Sequence, residues 1–133
     1  LLSEEAVVGE LLALCADMSA EYERFPEKKI QVLAELEERR DPRTAEAVVP
    51  FLRDMNESAR YHAVGAILRQ ANAADFVDSV VDAFLDEESA RIRSTVLDRL
   101  AEAQLSVGAR QAEVATKLPS GYKLGATGIP QRG

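Results

Sequence analysis

Apolar residues recur along most of the chain at the spacing of one helix face. In residues 57–70 they follow the i, i+4, i+7, i+8 pattern of an amphipathic helix, with the stripe formed by Ala59, Ala63, Ala66 and Ile67. Comparable stripes are formed by Val32, Leu33 and Leu36 and, more weakly, by Leu97 and Leu100. The pattern predicts an all-α chain with helices near residues 3–22 (with a candidate break near Asp17), 27–39, 43–54, 57–70, 73–86, 88–104 and 107–118.

Prolines mark several of these boundaries. Asp41-Pro42 is expected to start a helix near residue 43, and Phe25-Pro26 one near Glu27, because proline is tolerated in a first turn. Pro50 falls well inside the predicted helix 43–54, where it removes a backbone hydrogen bond. We therefore expect a kink at that point.

A short motif occurs twice. Glu57-Ser58-Ala59-Arg60 returns as Glu88-Ser89-Ala90-Arg91, an offset of 31 residues, and the same step back from Arg60 reaches Lys29. The spacer between Phe-Leu and this motif has four residues in the first copy and two in the second, as expected for a turn. The chain is therefore predicted to contain three similar helix pairs. The third carries polar residues in its stripe, which is expected of a terminal repeat with nothing stacked beyond it: Ser94, Thr95 and Asp98.

These motifs resemble HEAT repeats, in particular the short bacterial kind found in phycobilin-lyase-type proteins. The resemblance covers about residues 27–104 and is carried by Asp41-Pro42-Arg43, by Leu52 with Asp54, and by Ser58-Ala59-Arg60 followed by Ala63, Ala66 and Ile67. It implies a short α-solenoid of about three HEAT-like helix pairs and a binding role. It also implies a ladder of acids and bases between neighbouring repeats, at positions matched by Asp54, Asp86, Arg60 and Arg91. Ala59 and Ala90 stand where the family usually has Val.

The predicted solenoid domain covers residues 1–118, and residues 119–133 form a non-helical tail that begins at Leu118-Pro119. Three arrangements of the tail stay open. The segment 122–124 and the run around Ile129 either pair as a hairpin across residues 125–128 or lie extended over the final repeat. Alternatively, the tail is a flexible docking peptide anchored by Tyr122, Leu124 and Ile129.

Charge narrows the classes of partner. The 133 residues carry a formal charge of −7, with six acids and one base in residues 1–26 and one acid and four bases in residues 106–133. Nucleic-acid binding needs a basic surface to replace counterions, so no nucleic-acid partner is expected. Apolar runs are too short for a membrane span, so no membrane partner is expected either.

Candidate catalytic chemistry is sparse. His62 is the only histidine and Cys15 the only cysteine, whereas a metal site needs three or four convergent ligands. The acids of Glu37-Glu38 and of Asp86-Glu87-Glu88 are expected at helix ends in water, and no nucleotide-binding or hydrolase motif occurs. We expect no enzyme activity, metal or cofactor. A single cysteine cannot form an internal disulfide, which favours the cytoplasm. Because the chain begins with Leu, it is expected to be a fragment or a processed product.

The remaining face of the second helices is the candidate binding surface. It is predicted to expose Tyr61, His62, Gly65 and Arg69 in residues 57–70, and Ile92, Arg93, Val96 and Arg99 in residues 88–104. Exposed tyrosine, aliphatic and arginine side chains together are typical of an interface with another protein, and Tyr122 of the tail is added to this set. The alternative is that Tyr61 and Ile92 pack internally and the arginines pair with local acids.

The sequence thus predicts a non-catalytic adaptor, scaffold or small subunit, with self-association through the solenoid ends as a further expectation. Two rivals stay open. One is a tetrapyrrole-handling, lyase-like protein, which the resemblance to phycobilin lyases suggests. The other is nucleic-acid recognition of the kind seen in helical-repeat alkylpurine DNA glycosylases, against which the acidic balance and the missing Trp count.

Overall fold

A computed structural model describes residues 2–133. It is mostly helical, with a small two-stranded sheet near the C terminus, so the predicted all-α class holds for all but that sheet. The α-helices are α1 (Glu4–Ala16), α2 (Glu27–Glu37), α3 (Thr44–Val48), α4 (Glu57–Leu68), α5 (Val77–Asp86), α6 (Ala90–Glu102) and α7 (Gln111–Ala115). Short 3-10 helices span Val49–Arg53, Ala73–Phe76 and Gly108–Arg110, and the strands are β1 (Tyr122–Leu124) and β2 (Pro130–Arg132). The chain divides into two compact units: unit 1 extends to Ala73, and unit 2 is Ala74–Gly133.

Unit 1 is built around α4. This helix packs against α2, α3 and the 3-10 helix Val49–Arg53, while α1 packs against α2 and α3. The predicted stripes on α2 and α4 are buried, which confirms the periodicity argument; the core includes Val32, Leu33, Leu36, Ala59, Ala63, Ala66 and Ile67. The small alanine side chains on α4 allow neighbouring helices to approach its backbone closely.

Helix ends in unit 1 follow local capping chemistry. The Ser3 hydroxyl accepts the Ala6 N–H at the start of α1, and the Asn56 side chain accepts the Ala59 N–H at the start of α4. The first helix ends at Ala16, next to the candidate break at Asp17, so its predicted extension to residue 22 is wrong. At Val48 the α-helical bonding of α3 gives way to the 3-10 helix that contains Pro50, which places the interruption where the proline predicts it.

A buried ion pair joins α2 to the segment after the 3-10 helix. The Lys29 Nζ lies 2.8 Å from Asp54 Oδ2, and the two side chains are 2% and 0% exposed. Lys29 also donates to the backbone carbonyls of Ser19 and Glu21, at 2.9 and 3.3 Å. Through these contacts, Lys29 links α2 both to the loop between α1 and α2 and to the segment that precedes α4. Arg60, the base one motif later, donates instead to the backbone carbonyl of Asp54.

Unit 2 contains α5, α6, α7 and the hairpin. The α5 helix packs against α6 and α7, β1 packs against α7, and β2 packs against α6. The strands are antiparallel, with Tyr122 opposite Arg132 and Leu124 opposite Pro130, which confirms the hairpin alternative for the tail. Gly128 supplies the positive φ of 85° that the turn requires, and its carbonyl accepts the Val107 N–H.

Asp98 holds the hairpin on α6. The Tyr122 hydroxyl donates to Asp98 Oδ1 at 2.8 Å, and Arg132 Nη2 lies 3.0 Å from Asp98 Oδ2. Asp98 of the third stripe therefore contacts the hairpin, and the expectation that nothing stacks beyond this stripe is wrong. Thr95 bonds its own helix, through the Arg91 carbonyl.

The segment after α6 departs most from the predicted helix 107–118. The α6 helix ends in a C-terminal motif in which the Leu105 N–H bonds the Leu100 carbonyl and the Gln104 N–H bonds the Ala101 carbonyl. Gln104 occupies the left-handed region with φ 56°, a position usually held by glycine. Only a 3-10 turn and the short α7 follow.

Candidate partner-binding surface

The exposed side of α4 in unit 1 carries two aromatic rings. Tyr61 and His62 are partly exposed, and their ring centroids lie 5.2 Å apart at an interplanar angle of 82°. This edge-to-face arrangement is favourable for aromatic pairs. The sequence prediction that both rings lie at the surface of this helix is therefore consistent with the structure.

Glu37 of α2 fixes the histidine. Its Oε1 lies 2.8 Å from His62 Nδ1, a distance at which an ionised carboxylate accepts the Nδ1–H. The residue is only 6% exposed, so the expectation that water solvates both acids of Glu37-Glu38 is wrong for Glu37. A buried carboxylate needs partners, and the imidazole is one of them.

Gly65 makes room for this carboxylate. A Cβ at position 65 would overlap the Glu37 carboxyl group, so the absence of a side chain lets α2 and α4 approach with the acid between them. Gly65 is buried, and its predicted place on the exposed face is therefore wrong. His62 and Gly65 are three residues apart on a helix, a spacing that puts them on one side and would have pointed to a shared neighbour.

Arg69 completes the polar border of this surface. It is partly exposed, and its Nη1 lies 3.2 Å from Oε1 of the exposed Glu38. An exposed pair of this kind contributes little to stability, so both side chains stay available to a partner. We call Tyr61, His62 and Arg69, with Glu37 and Glu38 beneath and beside them, the α4 surface.

In unit 2 the residues predicted to form the binding surface are partly buried and partly exposed. Ile92 and Val96 are each 2% exposed, so their assignment to an exposed row is wrong and neither can contact a partner in the folded chain. The reason is the helix register, because Ile92, Val96 and Leu100 follow one another at i, i+4 and i+8 and form the core face of α6. Arg93 and Arg99 are partly exposed; Arg93 donates to the Glu87 carbonyl and Arg99 pairs with Glu102 at 3.2 Å.

Tyr122 is not the anchor of a loose peptide. It lies in β1, partly exposed, with its hydroxyl held by Asp98. Burial and this carboxylate raise the Tyr122 pKa above its ordinary value. The docking-peptide alternative for the tail, with Tyr122 as a free anchor, therefore does not describe the folded hairpin.

Other reactive groups occupy unreactive settings. Cys15 is buried, and burial raises the pKa of its thiol to about 11, far from the thiolate form that nucleophilic chemistry needs. Within residues 2–133 no three His, Cys, Asp or Glu side chains converge in a way that could hold a metal ion. Over the same residues, no helix is both long enough and apolar enough to cross a membrane.

One cleft in unit 2, of about 450 Å³, is lined by residues that include Asp75, Asp78 and the segment Gln104–Arg110. Its one cation, Arg110, bonds Asp82 and Glu113, both at 2.7 Å. These two carboxylates raise the Arg110 pKa further above its ordinary value. The guanidinium is thus already neutralised from two sides, which leaves little charge to attract an anionic ligand.

Comparison of the chain with family models, with curated proteins and with solved structures finds no match.

Proposed function

We propose that this chain is a non-catalytic protein-interaction module, an adaptor or a small subunit of a larger assembly, acting in the cytoplasm and binding its partner through the α4 surface. The observation that carries the proposal is the pair of partly exposed rings of Tyr61 and His62, held edge to face over the buried carboxylate of Glu37. Tyrosine and arginine are enriched among the few residues that carry most of the binding energy at protein interfaces.

Preorganisation favours the same conclusion. The Glu37 bond restricts the imidazole, and the imidazole restricts Tyr61, so a partner that covers these rings orders few side chains on this face. Ordering a flexible side chain at an interface costs roughly 0.5–1.5 kcal/mol, which a fixed ring avoids. The α4 surface therefore has the properties of a recognition site rather than of ordinary solvated surface.

The proposed scaffold is a short HEAT-like solenoid. In its support, α1 packs with α2 and α3 packs with α4, which gives two helix pairs in unit 1. The first helices of the two pairs, α1 and α3, contact each other, and so do the second helices, α2 and α4. Lys29, one motif step of 31 residues before Arg60, meets Asp54 of the following pair, as a rung between neighbouring repeats would. Repeats stacked in this way present one helix of each pair on a common face.

A photo-crosslinking experiment tests the proposal. A benzophenone amino acid placed at Tyr61 should capture the partner when the chain is expressed in its native host, and mass spectrometry should identify the captured protein. The matched control places the same group at Glu46, which is exposed on α3. Equal capture from both positions, or none from position 61 in a folded chain, would show that α4 is not the binding face.

Arg93 and Arg99 are tested separately, since they belong to unit 2. If α6 contributes to binding, Arg93→Ala and Arg99→Ala should each weaken capture of the protein identified through position 61. Unchanged capture would restrict the binding surface to unit 1.

A further inference from the structure

Exposed large hydrophobic side chains are concentrated in one part of unit 1. Among residues 2–133 the exposed ones are Leu2, Leu14, Tyr22, Phe25 and Met55, of which Leu14 is the least exposed, at 37%. Leu14 lies in the last turn of α1, and Tyr22 and Phe25 lie in the loop that follows this helix. Met55 is bonded to that loop through its N–H and the Ala20 carbonyl, at 3.0 Å. We call Leu14, Tyr22, Phe25 and Met55 the loop patch.

The α1 helix, which precedes the loop, has few buried residues although most of its side chains are apolar. Residues of α1 are apolar on most sides, yet Val8 and Cys15 are its only buried residues, and Val7, Leu11 and Leu12 are only partly covered. A helix that is apolar all round is normally buried. The exposed residues of α1 are Glu4, Glu5, Glu10, Ala13, Leu14 and Ala16, so its last turn adds apolar surface to the loop patch and its first turns add carboxylates.

The loop is held rather than free. Lys29 donates to two of its carbonyls, those of Ser19 and Glu21, while Met55 bonds the carbonyl between them. Tyr22 and Phe25 are nevertheless 76% and 70% exposed. Single exposed aromatic residues are ordinary, but several on one fixed segment mark an interaction site.

Charge indicates what would cover this surface. Residues 2–26 carry six acids and one base, and the base, Arg24, lies over the Phe25 ring at 5.4 Å from its centroid. Of these acids, Glu4 is paired with Arg39 and Glu23 lies 3.8 Å from Lys29, whereas the exposed Asp17 and Glu21 lie next to the patch in the chain and form its acidic border. An apolar surface with such a border is complementary to a helix that is apolar on one side and basic on the other.

We propose that the loop patch, together with the exposed last turn of α1, binds a basic amphipathic helix of a partner protein. This inference rests on the proposed interaction function and names the chemistry of a partner for a second surface, apart from the α4 surface. The acidic border disfavours two other occupants. It would repel an anionic membrane, and it would repel the same surface of a second copy.

The test uses a synthetic helical peptide of about 18 residues built from Leu and Lys at amphipathic spacing, titrated into the ¹⁵N-labelled chain. Amide shifts should move in residues 2–25 and at Met55. The double variant Tyr22→Ser with Phe25→Ser should weaken binding by about tenfold or more, because the apolar anchors are lost. Since both side chains are exposed, the variant should fold, and its circular dichroism checks this.

Two double variants that each remove two acids distinguish docking at the loop patch from general attraction between an acidic chain and a basic peptide. Asp17→Asn with Glu21→Gln, beside the patch, should weaken binding and reduce its salt dependence. The matched control, Asp75→Asn with Glu88→Gln, removes two exposed acids of unit 2 and should change the affinity by less than about twofold.

Four results would overturn the inference: shifts outside the named residues, equal effects of the two charge variants, binding to phosphatidylserine vesicles that depends on Tyr22 and Phe25, or a dimer that the serine variant dissociates. None of them bears on capture through position 61. If the peptide experiment fails, the proposed function of the α4 surface is unaffected. If the peptide binds but nothing is captured through position 61, the proposed function is wrong and the loop-patch inference is retained.

Discussion

Replacing Asp54 with Asn leaves the ammonium of Lys29 buried against a neutral side chain. The carboxylate now lies 2.8 Å from Lys29 Nζ, and its other oxygen accepts the Asn56 N–H. An amide that keeps its oxygen on Asn56 turns its NH₂ group toward the ammonium, so donor faces donor. The substitution therefore removes the counter-charge and adds a poor contact at an almost fully buried site.

The expected cost follows from this geometry. Removing one partner of a buried ion pair costs roughly 3–5 kcal/mol, since the other charge stays buried. Lys29 keeps its bonds to the Ser19 and Glu21 carbonyls, which stabilise the ammonium, so the lower end applies. We expect Asp54→Asn to lower the free energy of unfolding by about 3 kcal/mol, a large part of the roughly 5–15 kcal/mol typical of a domain.

Urea unfolding followed by circular dichroism at 222 nm measures this, with Glu46→Gln as the control for an exposed acid, expected within about 0.5 kcal/mol of wild type. The double variant Lys29→Met with Asp54→Asn removes both charges and should lose clearly less than the sum of the two single variants. A cost for Asp54→Asn below about 1 kcal/mol, or strictly additive losses, would refute the argument that the pair is desolvated and coupled.

Three further predictions concern unit 2 and the thiol. Gln104→Gly should raise the free energy of unfolding by about 0.5–1 kcal/mol, because glycine adopts φ 56° without strain; a lower urea midpoint would contradict this. Tyr122→Phe should cost about 1 kcal/mol through the lost bond to Asp98. Because the pKa of Tyr122 is raised in the folded chain, the stabilisation by this hydroxyl is fully present below the unfolded value of about 10 and is lost as pH rises through the folded value. Absorbance at 295 nm follows the ionisation of Tyr122, and a titration at the ordinary value would contradict the prediction. Cys15, with its pKa near 11, should react with iodoacetamide at pH 8 only as fast as the fold opens, and labelling at the rate of an exposed thiol would show that it is not buried.

Most of the correct predictions came from patterns among residues close together in the chain. Helical periodicity predicted the core stripes of α2 and α4, because it depends on neighbours in the chain. The glycines of residues 125–128 gave the hairpin as one of the alternatives for the tail, and the structure selects it. The break at Asp17 and the interruption at Pro50 are local in the same sense.

Features that depend on distant residues were missed. Lys29 lies at the surface of its own helix in any single-helix argument, and only the fold brings Asp54 against it. Glu37 is buried because Gly65 of another helix leaves room for it. The misassignment of Ile92 and Val96 has a different cause: the face of α6 was chosen from Leu97 and Leu100, although the i, i+4, i+8 series of Ile92, Val96 and Leu100 indicates the core side.

Titration calorimetry with the protein captured through position 61 tests the account most directly. Wild-type chain and the double variant Tyr61→Ala with Arg69→Ala are compared, with melting temperatures measured alongside. The account predicts a dissociation constant at least about tenfold higher for the variant and an unchanged melting temperature, because these side chains contact the partner rather than the core. Equal dissociation constants for the two folded chains would contradict it.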